Sequence, residues 1–489
     1  MNRLSKKIMN KAERPIKVMQ YGEGNFLRGF VDYMIDIANE SGNFNGDIIL
    51  VKPIEHGSLE SLLQQDCLYT VSLRGLAEGE KKIESRVITS VADAVDAYRE
   101  YERYAALAKS EELRFVVSNT TEAGIVYDEK DSIDLCPPRS YPGKLVKFLY
   151  ERYQYFEGAE DKGLIILPVE LIDNNGSVLK DTAMKLARSW KLEEAFMEWL
   201  KHACVFCSTL VDRIVTGYPK DEAEGLWQEY GYIDQHIVTG EPFALWVIEG
   251  DQSVEKELPL SKAGLPVIFT ENHKPYKQRK VRILNGAHTS FSLASYLAGN
   301  DYVLESMQDQ DIHSFMMKTI YEEIIPTLSL TKEELCSFAD AVTERFLNPF
   351  IKHALLSISL NSVSKWKARC LPSLLDYEKK YSRLPAHLTF SLAALMEFYS
   401  GKEIKADALI GYREGVEYQI KDDREVLEFF AEKSGGDIRS FTESFLSNDK
   451  FWDQDLTKLP SLTEQIVKYL TDIRTNGIRE AIKRCNEEL

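Results

Sequence analysis

The chain has 489 residues, a formal net charge of −17 and seven cysteines. This length exceeds what one ordinary hydrophobic core accommodates, so we expect two domains, with three as the alternative. A hydrophobic fraction of 44% and a charged fraction of 28% are typical of a globular protein in water. The excess of negative charge argues against a nucleic-acid partner, because binding to phosphates requires a basic surface.

Neither a membrane span nor a secretory signal is predicted. No apolar run approaches the roughly 20 residues that cross a bilayer, and residues 1–18 lack the apolar segment of a signal peptide. The odd, scattered cysteines indicate reduced thiols and therefore a cytoplasmic protein. Cys204 and Cys207 form a C-x-x-C inside an apolar run, without further residues for zinc or redox chemistry. We interpret them as buried strand cysteines and predict no metal site.

Short apolar runs alternate with helical patterns through the first half of the chain. Such alternation predicts a doubly wound parallel sheet, with strands buried on both faces. An additional pair of runs predicts an inserted β-hairpin. The predicted strands are 16–22, 47–53, 113–121, 163–171 and 204–211, the helices between them include 26–40 and 141–156, and the hairpin comprises 68–76 and 81–89.

Long helical patterns dominate after about residue 275, for example 314–328, 332–347, 384–400 and 461–484. The glycine pair within 432–440 marks a loop among these helices. We therefore predict an α/β protein: a Rossmann-like, cofactor-binding domain over 1–272, and an all-helical substrate and catalytic domain over 273–489.

A glycine turn follows the first predicted strand. Gly22 permits a tight turn, and Gly24 allows the backbone to approach a phosphate without an intervening Cβ. Leu27 stands where the third glycine of G-x-G-x-x-G is expected, and Gly29 takes over its packing role two residues later. Arg28 adds a cation beside the phosphates. The turn and the helix after it predict a pyrophosphate at a helix N-terminus.

The second strand ends in Val51-Lys52-Pro53, with Glu55 just beyond. An acidic residue at this place binds the ribose of NAD, whereas Lys52 suits the 2′-phosphate of NADP, so the residues leave both cofactors open. Polar loop residues also follow the later strands, Glu122, Glu170, Asp173 and Asn174 among them. The predicted cofactor-binding residues are Val18, Tyr21, Gly22, Gly24, Asn25, Phe26, Arg28, Gly29, Asn119, Thr120 and Thr121.

The stretch 273–291 carries the residue types that carbonyl reduction needs. Lys280, Asn285 and His288 are spaced i, i+5 and i+8, which places them on one side of an α-helix. Lys280 would donate the proton, its pKa lowered by neighbouring cations and the helix start. Asn285 would donate a hydrogen bond to the carbonyl oxygen, and His288 would orient the substrate or the lysine. The alternative is that the cations of 274–282 form only a solvated helix start.

These motifs resemble those of the mannitol dehydrogenase family of long-chain, metal-independent polyol dehydrogenases. Its turn G-x-G-x-F-x-R is matched from Gly22 to Arg28, which accounts for the altered third glycine, and its signature K-x-x-x-x-N-x-x-H is matched from Lys280 to His288. Further matches are 211–214, 241–243 and 345–353. Some polyol relatives carry an asparagine just before 211–214, where this chain has Ser208 and Thr209, and Ser208 would supply that second donor to the carbonyl.

The resemblance implies reversible reduction of D-tagaturonate to D-altronate with NADH, in hexuronate breakdown. The substrate is then a small keto-hexuronate, and Lys277 and Arg282 beside Lys280 would bind its carboxylate. Two alternatives remain: D-fructuronate as the substrate, and a catalytically silent NAD-binding sensor. The intact residues Lys280, Asn285 and His288 argue against the sensor.

Overall fold

A computed structural model describes residues 1–77, 79–121 and 123–488. The predicted loop residue Glu122 therefore lies outside the described residues. The chain divides into two compact units, Met1–His273 and Lys274–Leu489. No helix in the described ranges is both long and apolar enough to cross a membrane.

A six-stranded parallel sheet in the order β5-β2-β1-β6-β7-β8 organises the first unit. In its centre, Met19 of β1 lies opposite Ile49 of β2 and Val116 of β6. Its strands are β1 Ile16–Tyr21, β2 Asp47–Lys52, β5 Val91–Asp96, β6 Phe115–Ser118, β7 Ile165–Pro168 and β8 Val205–Phe206, with β3 Tyr69–Ala77 and β4 Glu80–Ile88 forming a hairpin between β2 and β5.

Two smaller sheets complete the first unit. The hairpin joins a four-stranded sheet in the order β10-β11-β3-β4, and a three-stranded sheet has the order β13-β12-β9. The predicted strand 204–211 is therefore divided: β8 belongs to the large sheet and β9 to a small one. The strands beyond β8 are β9 Thr209–Asp212, β10 Val215–Gly217, β11 Val238–Gly240, β12 Leu245–Glu249 and β13 Val267–Thr270.

Helices cover both faces of the large sheet, and each face has its own apolar core. Side chains alternate along β1, so Val18 joins one core while Met19 and Tyr21 join the other. The helices are α1 Asn25–Leu27, continued by a π-helical turn Arg28–Asp32 into α2 Tyr33–Glu40, then α3 Glu60–Leu63, α4 Tyr101–Ala106, α5 Tyr141–Tyr155, α6 Asn175–Ser189, α7 Glu194–His202, α8 Ala223–Tyr230 and α9 Gln252–Glu257.

The second unit is mainly helical, and its centre is α18, whose residues are nearly all buried. Helices α11 and α22 pack against it. The helices are α10 Lys274–Arg279, α11 Gly286–Leu297, α12 Val303–Gln308, α13 Gln310–Lys318, α14 Lys332–Phe346, α15 Leu355–Ile358, α16 Ser362–Arg369, α17 Leu371–Tyr381, α18 Ala386–Phe398, α19 Arg424–Lys433, α20 Ile438–Leu446, α21 Asp449–Trp452, α22 Leu462–Asn476 and α23 Ile478–Glu487, with π-helical segments at Lys280–Asn285 and Thr319–Ile324.

Two features of this unit differ from the sequence-based expectation. A three-stranded antiparallel sheet follows α18, made of β14 Glu403–Lys405, β15 Ala408–Arg413 and β16 Val416–Ile420. The predicted helix 461–484 is two helices, because Gly477 adopts φ +84° and ends α22.

Candidate functional site

The glycine turn after β1 has the geometry that its sequence predicts. Gly22 has φ +115°, and its N–H donates to the Val51 carbonyl at 2.9 Å. A Cβ added at Gly22 would lie 3.3 Å from Leu27 Cδ1, so space and backbone both favour glycine there. Gly24 caps α1 in an extended conformation, and a Cβ added there meets no atom within 4 Å. The turn therefore leaves open space above Gly24.

A cavity of about 810 Å³ lies at this turn. Strand order reverses between β1 and β6, and open α/β sheets bind ligands at such a switch point. The volume is within the range of cofactor sites. The cavity is lined by Gly22, Glu23, Gly24, Pro53, Ile54, Asn119, Thr120, Thr121, Ala123, Gly124, residues 126–130, Arg139, Ser140, Tyr141 and Lys144.

The loop after β6 is fixed by a buried carboxylate. Glu170, 2% exposed, accepts from the Thr120 backbone N–H and hydroxyl, both at 3.0 Å, and from Ser118 Oγ at 3.1 Å. Burial raises the pKa of Glu170. Asn119, Thr120 and Thr121 line the cavity as a result, and Glu170 supports the loop from behind.

Six residues of the predicted cofactor set do not line this cavity: Val18, Tyr21, Asn25, Phe26, Arg28 and Gly29. The Val18 side chain is buried in the sheet core. Tyr21 is fully buried, its hydroxyl bonded to that of Tyr104, and burial raises its pKa far above the usual value. Phe26 stacks on Phe30, with ring centroids 5.0 Å apart. These side chains shape the strand and helix that hold the turn.

Arg28 is occupied by protein partners. Its Nε donates to the Glu23 carbonyl at 3.0 Å, Nη1 to the His236 carbonyl at 2.8 Å and Nη2 to Asn25 Oδ1 at 2.7 Å. The guanidinium also lies 5.1 Å from the Tyr69 ring centroid. It is 8% exposed and does not line the cavity. Arg28 and Asn25 therefore brace the turn, which corrects the expectation of a cation beside the phosphates.

Gly29 packs closely, but against the small sheet and not against β1. A Cβ there would lie 3.1 Å from Val238 Cγ1 of β11. The Gly29 carbonyl accepts from Arg213 Nη1 at 2.8 Å, while the same guanidinium donates to the carbonyls of Pro242 and Phe243 at 3.1 and 3.0 Å. Burial lowers the pKa of Arg213 to about 10. Through these hydrogen bonds Arg213 connects the matched stretches 211–214 and 241–243 to the helical turn that contains Gly29.

Lys52 at the end of β2 is fully buried. Its Nζ lies 3.0 Å from Asp96 Oδ2 and donates to the carbonyls of Ile54 and, at 3.3 Å, Glu55. All three N–H donors of the ammonium are therefore directed at protein oxygens, and Lys52 is not available to bind the 2′-phosphate of NADP. Glu23 does line the cavity, and burial raises the pKa of its carboxyl.

Lys280, Asn285 and His288 lie on one continuous helical stretch that is not a regular α-helix. Lys280 begins the π-helical segment and Asn285 ends it, and His288 lies in the first turn of α11. Angular spacings of an ideal α-helix do not apply across a π-helical segment. Because the stretch starts at Lys274, Lys280 is its seventh residue, beyond the first turn where the helix dipole acts. The expected dipole effect on Lys280 is therefore wrong.

His288 lies in an aromatic and cationic environment. Its ring stacks on Phe346 at a centroid distance of 4.2 Å and meets the His353 ring edge-to-face at 5.1 Å. Its Nε2 is buried, with no hydrogen-bond partner in the described part of the chain. Burial, followed by the charges of His353, Arg345, Arg369 and Lys365, lowers the pKa of His288 well below the usual value, so its imidazole is neutral.

The residues predicted to bind substrate are in different situations. Arg282 Nη1 lies 2.6 Å from Asp376 Oδ2, so its charge is already compensated. Lys277 is half-buried on α10, one turn before Lys280. Ser208 is 3% exposed, between β8 and β9 of the first unit.

The cations around His288 were missed as functional candidates. Arg345 lies within the matched stretch 345–353 without an assigned role, and Lys365 and Arg369 had no motif to identify them. Charges on separate helices are brought together only by folding, and a single sequence carries no local signal for this.

The two cysteines of the C-x-x-C are buried and flank β8. Burial raises the pKa of each thiol to about 12, which makes them unreactive. Within residues 1–77, 79–121 and 123–488, no group of three or more His, Cys, Asp or Glu side chains is arranged to hold a metal ion.

Comparison with known proteins gives matches over most of the chain. Residues 16–262 match the Mannitol dehydrogenase Rossmann domain, and residues 272–474 match the Mannitol dehydrogenase C-terminal domain. An Altronate oxidoreductase of Escherichia coli O7:K1 is 46% identical over 490 residues, covering 99% of each chain. One of Yersinia enterocolitica is 46% identical over 475 residues, covering 96% of each.

Two solved structures are similar in fold. Pseudomonas fluorescens mannitol 2-dehydrogenase, in a ternary complex with NAD and D-mannitol, aligns with a TM-score of 0.68 at 21% identity and covers 100% of both chains. A substrate-free D-sorbitol dehydrogenase aligns with a TM-score of 0.78 at 20% identity, over 98% of this chain and 100% of its own.

Proposed function

The chain belongs to the mannitol dehydrogenase family, and from this premise we propose that it interconverts D-tagaturonate and D-altronate with NADH and NAD⁺. The observation that carries this proposal is the 46% identity to Altronate oxidoreductases over 99% of both chains. Keto-hexuronate and aldonate differ by a hydride and a proton, so the enzyme needs a dinucleotide site and a proton donor.

The cofactor site is the cavity at the glycine turn. Gly24 leaves its upper face open for a pyrophosphate, and Asn119, Thr120 and Thr121 present polar groups from the loop after β6. Bound NADH supplies the hydride that reduces the carbonyl. Gly22 fixes the turn, and Glu23 occupies the cavity wall near the end of β2.

Lys280 is proposed as the proton donor in reduction and as the base in oxidation. Asn285 donates a hydrogen bond that polarises the carbonyl, and its amide carries no charge that would compete for the proton. His288 stays neutral because its ring is buried among cations. A neutral imidazole neither repels the protonated lysine nor titrates near pH 7, so His288 positions groups and does not exchange the proton.

Metal-independent catalysis and a cytoplasmic location complete the proposal. A positioned ammonium group supplies the proton that a zinc-dependent dehydrogenase obtains through its metal. The cysteines in the described residues are all free thiols, as a reducing compartment maintains them.

The experiment follows NADH absorbance with D-tagaturonate and, in reverse, NAD⁺ reduction with D-altronate. Product identification by NMR distinguishes altronate from its epimer at the reduced carbon. Turnover in both directions with altronate as the product supports the proposal. Absence of turnover with tagaturonate, in a folded protein that binds NADH, contradicts it.

A further inference from the structure

Helix α16 presents two cations on one side. Lys365 and Arg369 are four residues apart, so their side chains lie on the same face of the helix. Both side chains are half-buried, and neither was assigned a role from the sequence. Their charges therefore lie partly inside the second unit.

This helix packs against the segment that carries the predicted catalytic residues. It contacts both the π-helical segment beginning at Lys280 and α11, which bears His288. Arg369 Nη1 donates to Thr289 Oγ1 at 3.3 Å, and Thr289 directly follows His288. A Cβ added at Gly286 would lie 3.3 Å from the Arg369 carbonyl oxygen. Arg369 is thus held beside the start of α11.

Neither charge has an ion-pair partner in the described part of the protein. No carboxylate there lies within 4.0 Å of Lys365 Nζ or of the Arg369 guanidinium; Lys365 donates to the Ile358 carbonyl at 3.0 Å. The Asp422 carboxylate acts on Lys365 from beyond ion-pair distance, and it accepts a hydrogen bond from the Tyr399 hydroxyl at 2.6 Å. Burial lowers the pKa of both Lys365 and Arg369. Buried charge without a partner is costly, so this pair calls for an anion.

We propose that Arg369, with Lys365 beside it, binds the carboxylate of the hexuronate substrate and determines specificity for acids over neutral ketoses. This inference rests on the proposed function and adds which residues bind the acid group of the substrate. A guanidinium matches the two oxygens of a carboxylate with parallel N–H donors, and the contact to Thr289 occupies only one of its donors. Arg282, the cation expected from the sequence, is already paired with Asp376.

The test compares D-tagaturonate with D-tagatose, its neutral counterpart with CH₂OH in place of the carboxylate. In Arg369→Met, the ratio of kcat/KM for tagaturonate to kcat/KM for tagatose should fall by at least about 10-fold, the lower end of a charge-assisted hydrogen bond. The loss should be mainly in KM for tagaturonate, and Arg369→Lys should retain an intermediate ratio. An unchanged ratio in Arg369→Met overturns the inference.

Stability distinguishes binding from a structural role. Removing a cation that has no ion-pair partner among the described residues should leave the Tm of Arg369→Met unchanged or raised. A lower Tm together with the wild-type ratio assigns Arg369 to the fold and overturns the inference. Arg439→Met is the matched control: Arg439 is an exposed arginine of the same unit, 3.6 Å from Glu443, and both Tm and ratio should stay at wild-type values.

The same variants separate this inference from the proposed function. If the wild-type enzyme prefers D-fructuronate, the altronate proposal fails. The carboxylate site is then tested by the ratio of kcat/KM for D-fructuronate to kcat/KM for D-fructose in Arg369→Met. A collapse of that ratio supports the carboxylate site. If the wild type uses the neutral ketoses as well as the acids, both ideas fail.

Discussion

The Lys52 ammonium lies 3.0 Å from the Asp96 carboxylate at the end of β2 and is completely buried. This is the place where a dinucleotide-binding sheet meets the ribose of adenosine. The pair, together with the carbonyls of Ile54 and Glu55, leaves no donor of Lys52 directed at a ligand. Glu23, which lines the cavity nearby, adds a carboxyl group to its wall.

NADH should therefore be used in preference to NADPH. The 2′-phosphate of NADPH would have no contact with the Lys52 ammonium and would lie near the Glu23 carboxyl group. The missing charge-assisted contact should make kcat/KM for NADPH at least about 10-fold lower than kcat/KM for NADH. Initial rates with both cofactors at saturating tagaturonate measure the preference. Equal or better use of NADPH would mean that another cation of the cavity wall, such as Arg139 or Lys144, takes the phosphate.

Local sequence was sufficient for much of the fold. The predicted ranges 16–22, 47–53, 113–121 and 163–171 each contain a strand of the parallel sheet, although the last two extend beyond their strands into loops. Strands buried on both faces are short, apolar and bounded by polar residues, so local sequence identifies them. The run 204–211 is equally apolar, yet it breaks at Cys207 and Ser208 and its two halves join different sheets. Pairing partners, which periodicity does not reveal, decide such a break.

The candidate site was predictable where backbone geometry dictates the residue. The positive φ of the turn favours glycine at Gly22, and this requirement is local. At Gly24 the backbone would accept another residue, and the requirement for glycine comes from the proposed pyrophosphate. Arg28 donates to the His236 carbonyl, and Arg282 pairs with Asp376. Both partners lie far along the chain, so the sequence alone assigned these two charges to ligands. The π-helical segment was invisible for a related reason: α and π turns use the same residue types.

Gly24→Val should abolish cofactor binding and leave the fold intact. The backbone at Gly24, φ −66° and ψ 158°, suits valine, and the added side chain meets no protein atom near its Cβ. It would instead fill the space proposed for the pyrophosphate. NADH affinity by fluorescence titration, together with Tm, measures both effects. Gly225→Val on α8, also without close neighbours, is the control and should bind NADH normally. If folded Gly24→Val bound NADH with normal affinity, the cofactor site would have to lie elsewhere than at this turn.

Lys280→Ala should lower kcat by at least about 100-fold, the usual contribution of a positioned general acid. NADH affinity should stay within about twofold of wild type, since the cofactor residues of the first unit are untouched. The exposed Lys379 of α17 provides the control variant Lys379→Ala. Retention of more than a tenth of the wild-type rate in Lys280→Ala would remove the lysine from the reaction.

Acidification should destabilise the protein in part through His288. The folded-state pKa of His288 lies well below the unfolded value of about 6.5, because burial and nearby cations disfavour the charged ring. Below about pH 6.5 the unfolded chain takes up a proton that the folded chain refuses, so this contribution to the unfolding free energy falls by up to about 1.4 kcal/mol per pH unit. It is fully present above that pH.

In His288→Gln the loss of Tm between pH 7.5 and pH 5.5 should consequently be smaller than in wild type. His353 keeps its own lowered pKa, so some acid sensitivity remains in the variant. Thermal unfolding at pH 5.5, 6.5 and 7.5 supplies the comparison. Identical pH dependence in the two proteins would show that the His288 ring accepts a proton in the folded state.

The central claim is that this enzyme reduces an acidic ketose, and substrate discrimination tests it most directly. With NADH, we expect kcat/KM to be highest for D-tagaturonate, lower for D-fructuronate, and lower than tagaturonate by roughly 10- to 150-fold for D-tagatose and D-fructose, the range of a charge-assisted contact to the carboxylate. A kcat/KM for D-fructose equal to or above that for D-tagaturonate would contradict the account.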